Sequence, residues 1–204
     1  SIFDSNTCAE NISTSTGGAI SIDSLNNAFI QNSTFVNNTA FNGGALSFTK
    51  VLISKFVIRY GGIYLSNCIF EENTATNGGA ILLSTEYIFK VFDSLFKRNH
   101  ANFEGGAIQS SGTAFSSDLS DEDANVLVSN NSYSEMLQIK KTSGLLIHNT
   151  LFENNDATVG GAVSTFSTLI SANISSCLFI GNEAINQGGA LNALLFSLNI
   201  QNTQ

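Results

Sequence analysis

Apolar and polar positions alternate along this chain in short runs. Ile20 and Ile22 flank Ser21, and Leu46 and Phe48 flank Ser47. A period of two residues predicts a strand with one face buried. The runs are only a few residues long, and Gly-Gly pairs or asparagines bound them. Neither a Gly pair nor an Asn run favours a helix. The pattern therefore predicts many short strands joined by tight turns, and no helix.

The strands recur in a fixed context. Gly-Gly-Ala plus an aliphatic residue occurs six times, at Gly17, Gly43, Gly78, Gly105, Gly160 and Gly188. Upstream of each stands Phe-x-x-Asn: Phe3…Asn6, Phe35…Asn38, Phe70…Asn73, Phe96…Asn99, Phe152…Asn155 and Phe179…Asn182. Two residues past that Asn comes Ala40, Ala75, Ala101, Ala157 or Ala184, and five residues before the Phe an aliphatic, Ile30, Leu65, Val91, Ile147 or Ile174. Phe70 lies 26 residues before Phe96, and Phe152 lies 27 before Phe179. A repeat of that length built from short strands is one turn of a solenoid. Stacked turns bring identical residues together about 4.8 Å apart. The Phe column then lies inside, the Asn columns bond along the stack, and Gly-Gly turns a corner. The residues predict an all-β solenoid of about seven coils, a count that rests on the column spacing.

We read residues 1–204 as one such segment of a longer protein, interrupted near 7–16, 51–60 and 116–141. Flanking repeats are expected at both ends, because an open coil presents unpaired strand edges. The 56 residues from Phe96 to Phe152 suggest a degenerate extra coil. In that reading Val128-Ser129-Asn130-Asn131-Ser132-Tyr133 replaces the Phe segment, and Ser143-Gly144-Leu145-Leu146 echoes Gly-Gly-Ala-Ile. The insert with Val51, Ile53, Phe56, Ile58 and Tyr60 is apolar and β-prone. It predicts a strand covering the stack or a contact for a partner chain.

Composition narrows the function classes. Charged residues make up only 12% and the net charge is −8, which argues against binding nucleic acid through its phosphates. No apolar run reaches the roughly 18 residues of a membrane helix. Cys8, Cys68 and Cys177 have no metal-ligand spacing. Cys68 and Cys177 share one column about four turns apart, too far for a disulfide, so buried free thiols are expected. Lys97-Arg98-Asn99-His100 is a dense polar cluster, but Glu71 and Glu72 stand one turn earlier in the same columns. The expected pairs are Glu71–Lys97 and Glu72–Arg98. His148 falls at an outward position. Asp118, Asp121, Glu122 and Asp123 lack the order of a calcium loop and read as solvated. Asn-x-Ser/Thr tripeptides stand at Asn11, Asn32, Asn37, Asn130 and Asn173. Asn11 and Asn130 are the better glycosylation candidates, since Asn32 is assigned to a ladder column. No catalytic residue, cofactor or metal site is expected.

Gly-Gly-Ala-Ile paired with Phe-x-x-Asn resembles the repeat of the chlamydial polymorphic outer membrane proteins. Similar repeats occur in surface proteins of some single-celled eukaryotes. The resemblance covers nearly the whole chain and implies a right-handed, single-stranded parallel β-helix of the pectin-lyase type. It further implies export to the cell surface and a role in adhesion. The expected function is a cell-surface or extracellular structural or adhesive module, meeting other protein chains, flanking repeats or surface glycans. A polysaccharide lyase or hydrolase on the same fold is the rival, and a scaffold component of a large assembly a third reading. A groove carrying two or more carboxylates would favour the enzyme.

Overall fold

The computed structural model describes residues 1–9, 13–23, 27–49, 62–84, 88–111 and 144–204. Among them are twenty strands, no helix, and only parallel pairings between strands. Strands are numbered in chain order. The Phe segments form a six-stranded sheet: β1 (Ile2–Asp4), β4 (Thr34–Val36), β7 (Ile69–Glu71), β11 (Leu95–Lys97), β15 (Leu151–Glu153) and β18 (Leu178–Ile180). The segments between the ladder Asn and Gly-Gly form a second sheet of β8 (Thr74–Asn77), β12 (His100–Glu104), β16 (Asp156–Val159) and β19 (Glu183–Gln187). Thr7 and Thr39 extend it by isolated bridges.

The third sheet holds two sets of strands. One follows Gly-Gly-Ala: β2 (Ile20–Asp23), β5 (Leu46–Thr49), β9 (Ile81–Ser84) and β13 (Ile108–Ser111). The other precedes the Phe segments: β3 (Asn27–Gln31), β6 (Gly62–Ser66), β10 (Ile88–Phe92) and β14 (Gly144–His148). The continuous strands β17 (Val163–Ser175) and β20 (Leu191–Gln201) join the two sets. Residues 24–26, 50–61, 85–87 and 112–143 connect one set to the other in sequence, and the strand ends they join stack along one seam, with Asp23 beside Thr49 and Ser84, and Asn27 beside Gly62 and Ile88.

Each coil turns at two kinds of corner. In the asparagine corners, residues at positive φ flank the Phe segment: Asn32, Asn67, Asp93, Asn149 and Ser176 before it, and Ser5, Asn37, Glu72, Arg98, Asn154 and Gly181 after it, while Asn202 takes the same angle after β20. Asn tolerates this left-handed conformation better than most residues. The glycine corner needs both glycines, for different reasons. Gly78 has φ +61, whereas a Cβ on Gly79 would lie 2.0 Å from the carbonyl oxygen of Gly106 on the next coil. The Ala that follows is fully buried in Ala45, Ala80, Ala107 and Ala162.

The core is a set of axial columns. Five stacked ring pairs join Phe3, Phe35, Phe70, Phe96, Phe152 and Phe179, with centroids 4.7–5.0 Å apart. Beside them run the ladder asparagines. Asn73 Nδ2 donates to Asn99 Oδ1 (2.9 Å) and to Phe35 O (3.0 Å), and its backbone N–H donates to the same Oδ1. The same pattern links Asn38 to Asn73, Asn99 to Asn155 and Asn155 to Asn182. Buried amides are thus satisfied by their own neighbours along the stack, as burial requires.

Two expectations are corrected here. The described residues form six coils, not seven. β10, β11, β12 and β13 pair directly with β14, β15, β16 and β17, and Phe96 stacks on Phe152. No coil lies between these paired strands, and Gly144 begins β14 rather than a Gly-Gly corner. Asn32 does not belong to the ladder. It stands in the exposed corner column, one corner away from buried Asn38.

Candidate functional site

The proposed partner contact at Val51, Ile53, Phe56, Ile58 and Tyr60 lies outside the described residues, as do Asn11, Asn130 and the acidic stretch 118–123. Cys68 and Cys177 are buried free thiols, three Phe rungs apart because the expected extra coil is absent. Burial pushes both thiols above their ordinary pKa, against the lowering effect of nearby backbone hydrogen bonds. His148 is exposed, with its Nδ1 3.0 Å from Ser175 Oγ.

The Lys97–His100 cluster divides between two sheets, because the chain turns at Arg98. Lys97 and Glu71 are register partners, but Lys97 is a register partner of Glu153 as well. The ammonium binds Glu153 at 2.9 Å. Arg98 then takes both remaining carboxylates, Glu71 at 2.5 Å and Glu72 at 2.7 Å. The hydrogen bond that Arg98 donates to Glu72, with the charges of Glu71 and Glu72, raises the guanidinium pKa. The expected Glu72–Arg98 pair forms, whereas Glu71 pairs with Arg98 instead of Lys97, whose partner is Glu153, so neither cation is left without a carboxylate.

His100 goes elsewhere. It begins β12, directly after ladder residue Asn99, and faces outward between Thr74 and Asp156 on the neighbouring coils. Its Nδ1 lies 2.5 Å from Asp156 Oδ2, and its Nε2 lies 3.1 Å from Asn102 Oδ1. Glu183 follows Asp156 in the same column. The column changes along the stack from Thr7, Thr39 and Thr74 to His100, Asp156 and Glu183. His100, Asp156 and Glu183, with Asn102, Asn154 and Ile185, line an open cleft of about 570 Å³. The cleft carries two carboxylates on adjacent rungs. Sequence reasoning had singled out His100 but not its partners. Asp156 and Glu183 were findable from the position just after each ladder Asn, the outward column of the second sheet.

A second groove, of about 640 Å³, runs beside the outward aliphatic column Ile69, Leu95, Leu151 and Leu178. Its other wall is the first asparagine corner, where Asn149 Nδ2 donates to Asp93 Oδ1 at 2.6 Å. Among the described residues, no group of three or more His, Cys, Asp or Glu is placed to hold a metal ion.

These columns, corners and parallel sheets define a repeat protein of the parallel β-helix class. Residues 67–84 match the family model of the Chlamydia polymorphic membrane protein repeat. They span the corner at Asn67, strands β7 and β8, the Gly78-Gly79 corner and β9, which is most of one coil without its connection. No curated protein and no solved structure matches the chain.

Proposed function

We propose that this chain is a cell-surface or extracellular adhesive module: a right-handed β-helix of the pectin-lyase type that holds contact surfaces out on a rigid stack. The observation that carries the reading is the polymorphic membrane protein repeat at 67–84, a surface-associated family in Chlamydia. Right-handedness follows from the strong preference of parallel strand connections. The module itself is non-catalytic. Its contacts lie on the outward columns and the interrupted seam, and they meet other protein chains, flanking repeats or surface glycans. Antibody labelling of intact cells that make the protein tests the location. Labelling without permeabilisation is the expected result, and labelling only after permeabilisation contradicts it.

One observation favours a second reading, a carbohydrate-active enzyme. The His100–Asp156 pair beside Glu183 provides a general acid and base in an open cleft. Depolymerisation of a polysaccharide that is abolished by Asp156→Asn would establish it over the adhesive module. The non-catalytic reading expects no cleavage by either form.

A further inference from the structure

The chain contains two classes of asparagine, and the packing sorts its glycosylation tripeptides between them. A ladder Asn followed two residues later by buried Ala40, Ala75, Ala101 or Ala157 lacks the hydroxyl that an acceptor tripeptide needs. Asn38-Thr39-Ala40, Asn73-Thr74-Ala75, Asn99-His100-Ala101 and Asn155-Asp156-Ala157 all show this. The Asn-x-Ser/Thr tripeptides therefore fall outside the ladder. Three of them lie among the described residues: Asn32-Ser33-Thr34, Asn37-Asn38-Thr39 and Asn173-Ile174-Ser175.

All three acceptor asparagines are exposed. Asn32 (φ 49) and Asn37 (φ 53) occupy the corners on either side of β4, on one coil. Asn173 faces outward from β17, between Leu146 and Asn199 on the adjacent strands. None of the three side-chain amides has a hydrogen-bond partner among the described residues. Ladder Asn38, by contrast, is fully buried and its Nδ2 donates to Phe3 O and Asn73 Oδ1. A bulky polar substituent on Asn32, Asn37 or Asn173 would extend into solvent and displace no contact.

We propose that Asn32, Asn37 and Asn173 carry N-linked glycans. The proposal rests on the surface reading, since this modification is made during export. Each Nδ2 forms an N-glycosidic bond with the anomeric carbon of a lipid-pyrophosphate-linked oligosaccharide. The lipid pyrophosphate departs, and one amide proton is released. Glycans at Asn32 and Asn37 would flank the Phe-segment sheet on its second coil. The His100–Asp156 cleft, two to four rungs further along on the fourth to sixth coils, stays uncovered.

The test is glycopeptide mapping of the native protein isolated from the cells that make it. Peptide-N-glycosidase treatment in heavy-oxygen water converts each glycosylated Asn to an isotopically marked Asp. Marks at 32, 37 and 173, and none at 38, 73, 99 or 155, are expected. Thr34→Ala, Thr39→Ala and Ser175→Ala should each lose one glycan, and Thr34→Ser should retain it. A protein labelled on intact cells but unmodified at all three positions overturns this proposal alone. A protein confined to the cell interior overturns the surface reading and this proposal with it.

Discussion

Asn99 and Asn149 stand at the two asparagine corners that flank the Phe-segment sheet, just before β12 and β15, and they have the same side chain. Asn99 is fully buried. Its Oδ1 accepts from the backbone N–H and Nδ2 of Asn73, and its Nδ2 donates to Phe70 O and Asn155 Oδ1. Asn149 is exposed, with φ 47 and one side-chain bond to Asp93. The first holds coil to coil through the interior. The second is used mainly for a backbone angle that Asn adopts readily. One residue type thus performs two tasks at neighbouring corners, and burial distinguishes them. What is free to vary, and to meet other molecules, lies on the outer side of that division.

Substitution should separate the two corners widely. Asn99→Ala leaves the Asn73 amides, Phe70 O and Asn155 Oδ1 short of partners in a dry column. At about 1–3 kcal/mol per buried group left unsatisfied, a loss of about 3–5 kcal/mol is expected in denaturant titration. Phe96→Ala, which opens a gap between Phe70 and Phe152, should cost about 3–5 kcal/mol by the same measurement. Asn149→Ala should cost only about 1 kcal/mol, the penalty of a left-handed Ala. Asn149→Gly should restore most of that loss, because Gly supplies the angle, whereas Asn99→Gly should not rescue Asn99→Ala. Equal losses at positions 99 and 149 would abolish the distinction.

Smaller effects test the outer columns and the buried thiols. Cys68 and Cys177 should resist alkylation in the folded protein, while Cys8, which is only partly buried, reacts first. Their raised pKa values favour the fold below the ordinary thiol pKa, near 8.5. That contribution should be lost as pH rises through the higher folded values, so stability should fall in alkali. Replacing both with Ala should flatten that fall. Smallest of all, Arg98→Ala should change stability slightly and only at low salt, because the guanidinium is exposed and solvent screens its pairs.

Much of the fold was legible because columns repeat. The Phe, Gly-Gly and Ala positions each recur with one physical reason, and strand alternation survives between them. The coil count was not legible. Val128–Tyr133 imitates a Phe segment, and chain length alone cannot distinguish a degenerate coil from an excursion. Only the direct pairing of Phe96 with Phe152 decides that. The charge pairs were half legible. The columns were right, but Lys97 has a glutamate on both neighbouring rungs, and spacing does not choose between them. The cleft was missed because its column begins as Thr in the first three coils and becomes titratable only from His100 onward. The two asparagine columns looked alike in sequence, yet the residue two positions later separates them: Ala after a ladder Asn, and Thr34 after Asn32.

The central claim is that the coils stack in unbroken register across the interval from Phe96 to Phe152. Cysteine cross-linking measures this directly. Lys97 and Glu153 are outward-facing register partners on adjacent strands, about 4.8 Å apart at Cα, within the reach of a disulfide. The pair Lys97→Cys/Glu153→Cys should cross-link quantitatively under mild oxidation. Lys97→Cys/Ile180→Cys, two rungs apart, should not. Failure of the 97–153 pair in a folded protein would place another coil between these strands and contradict the account.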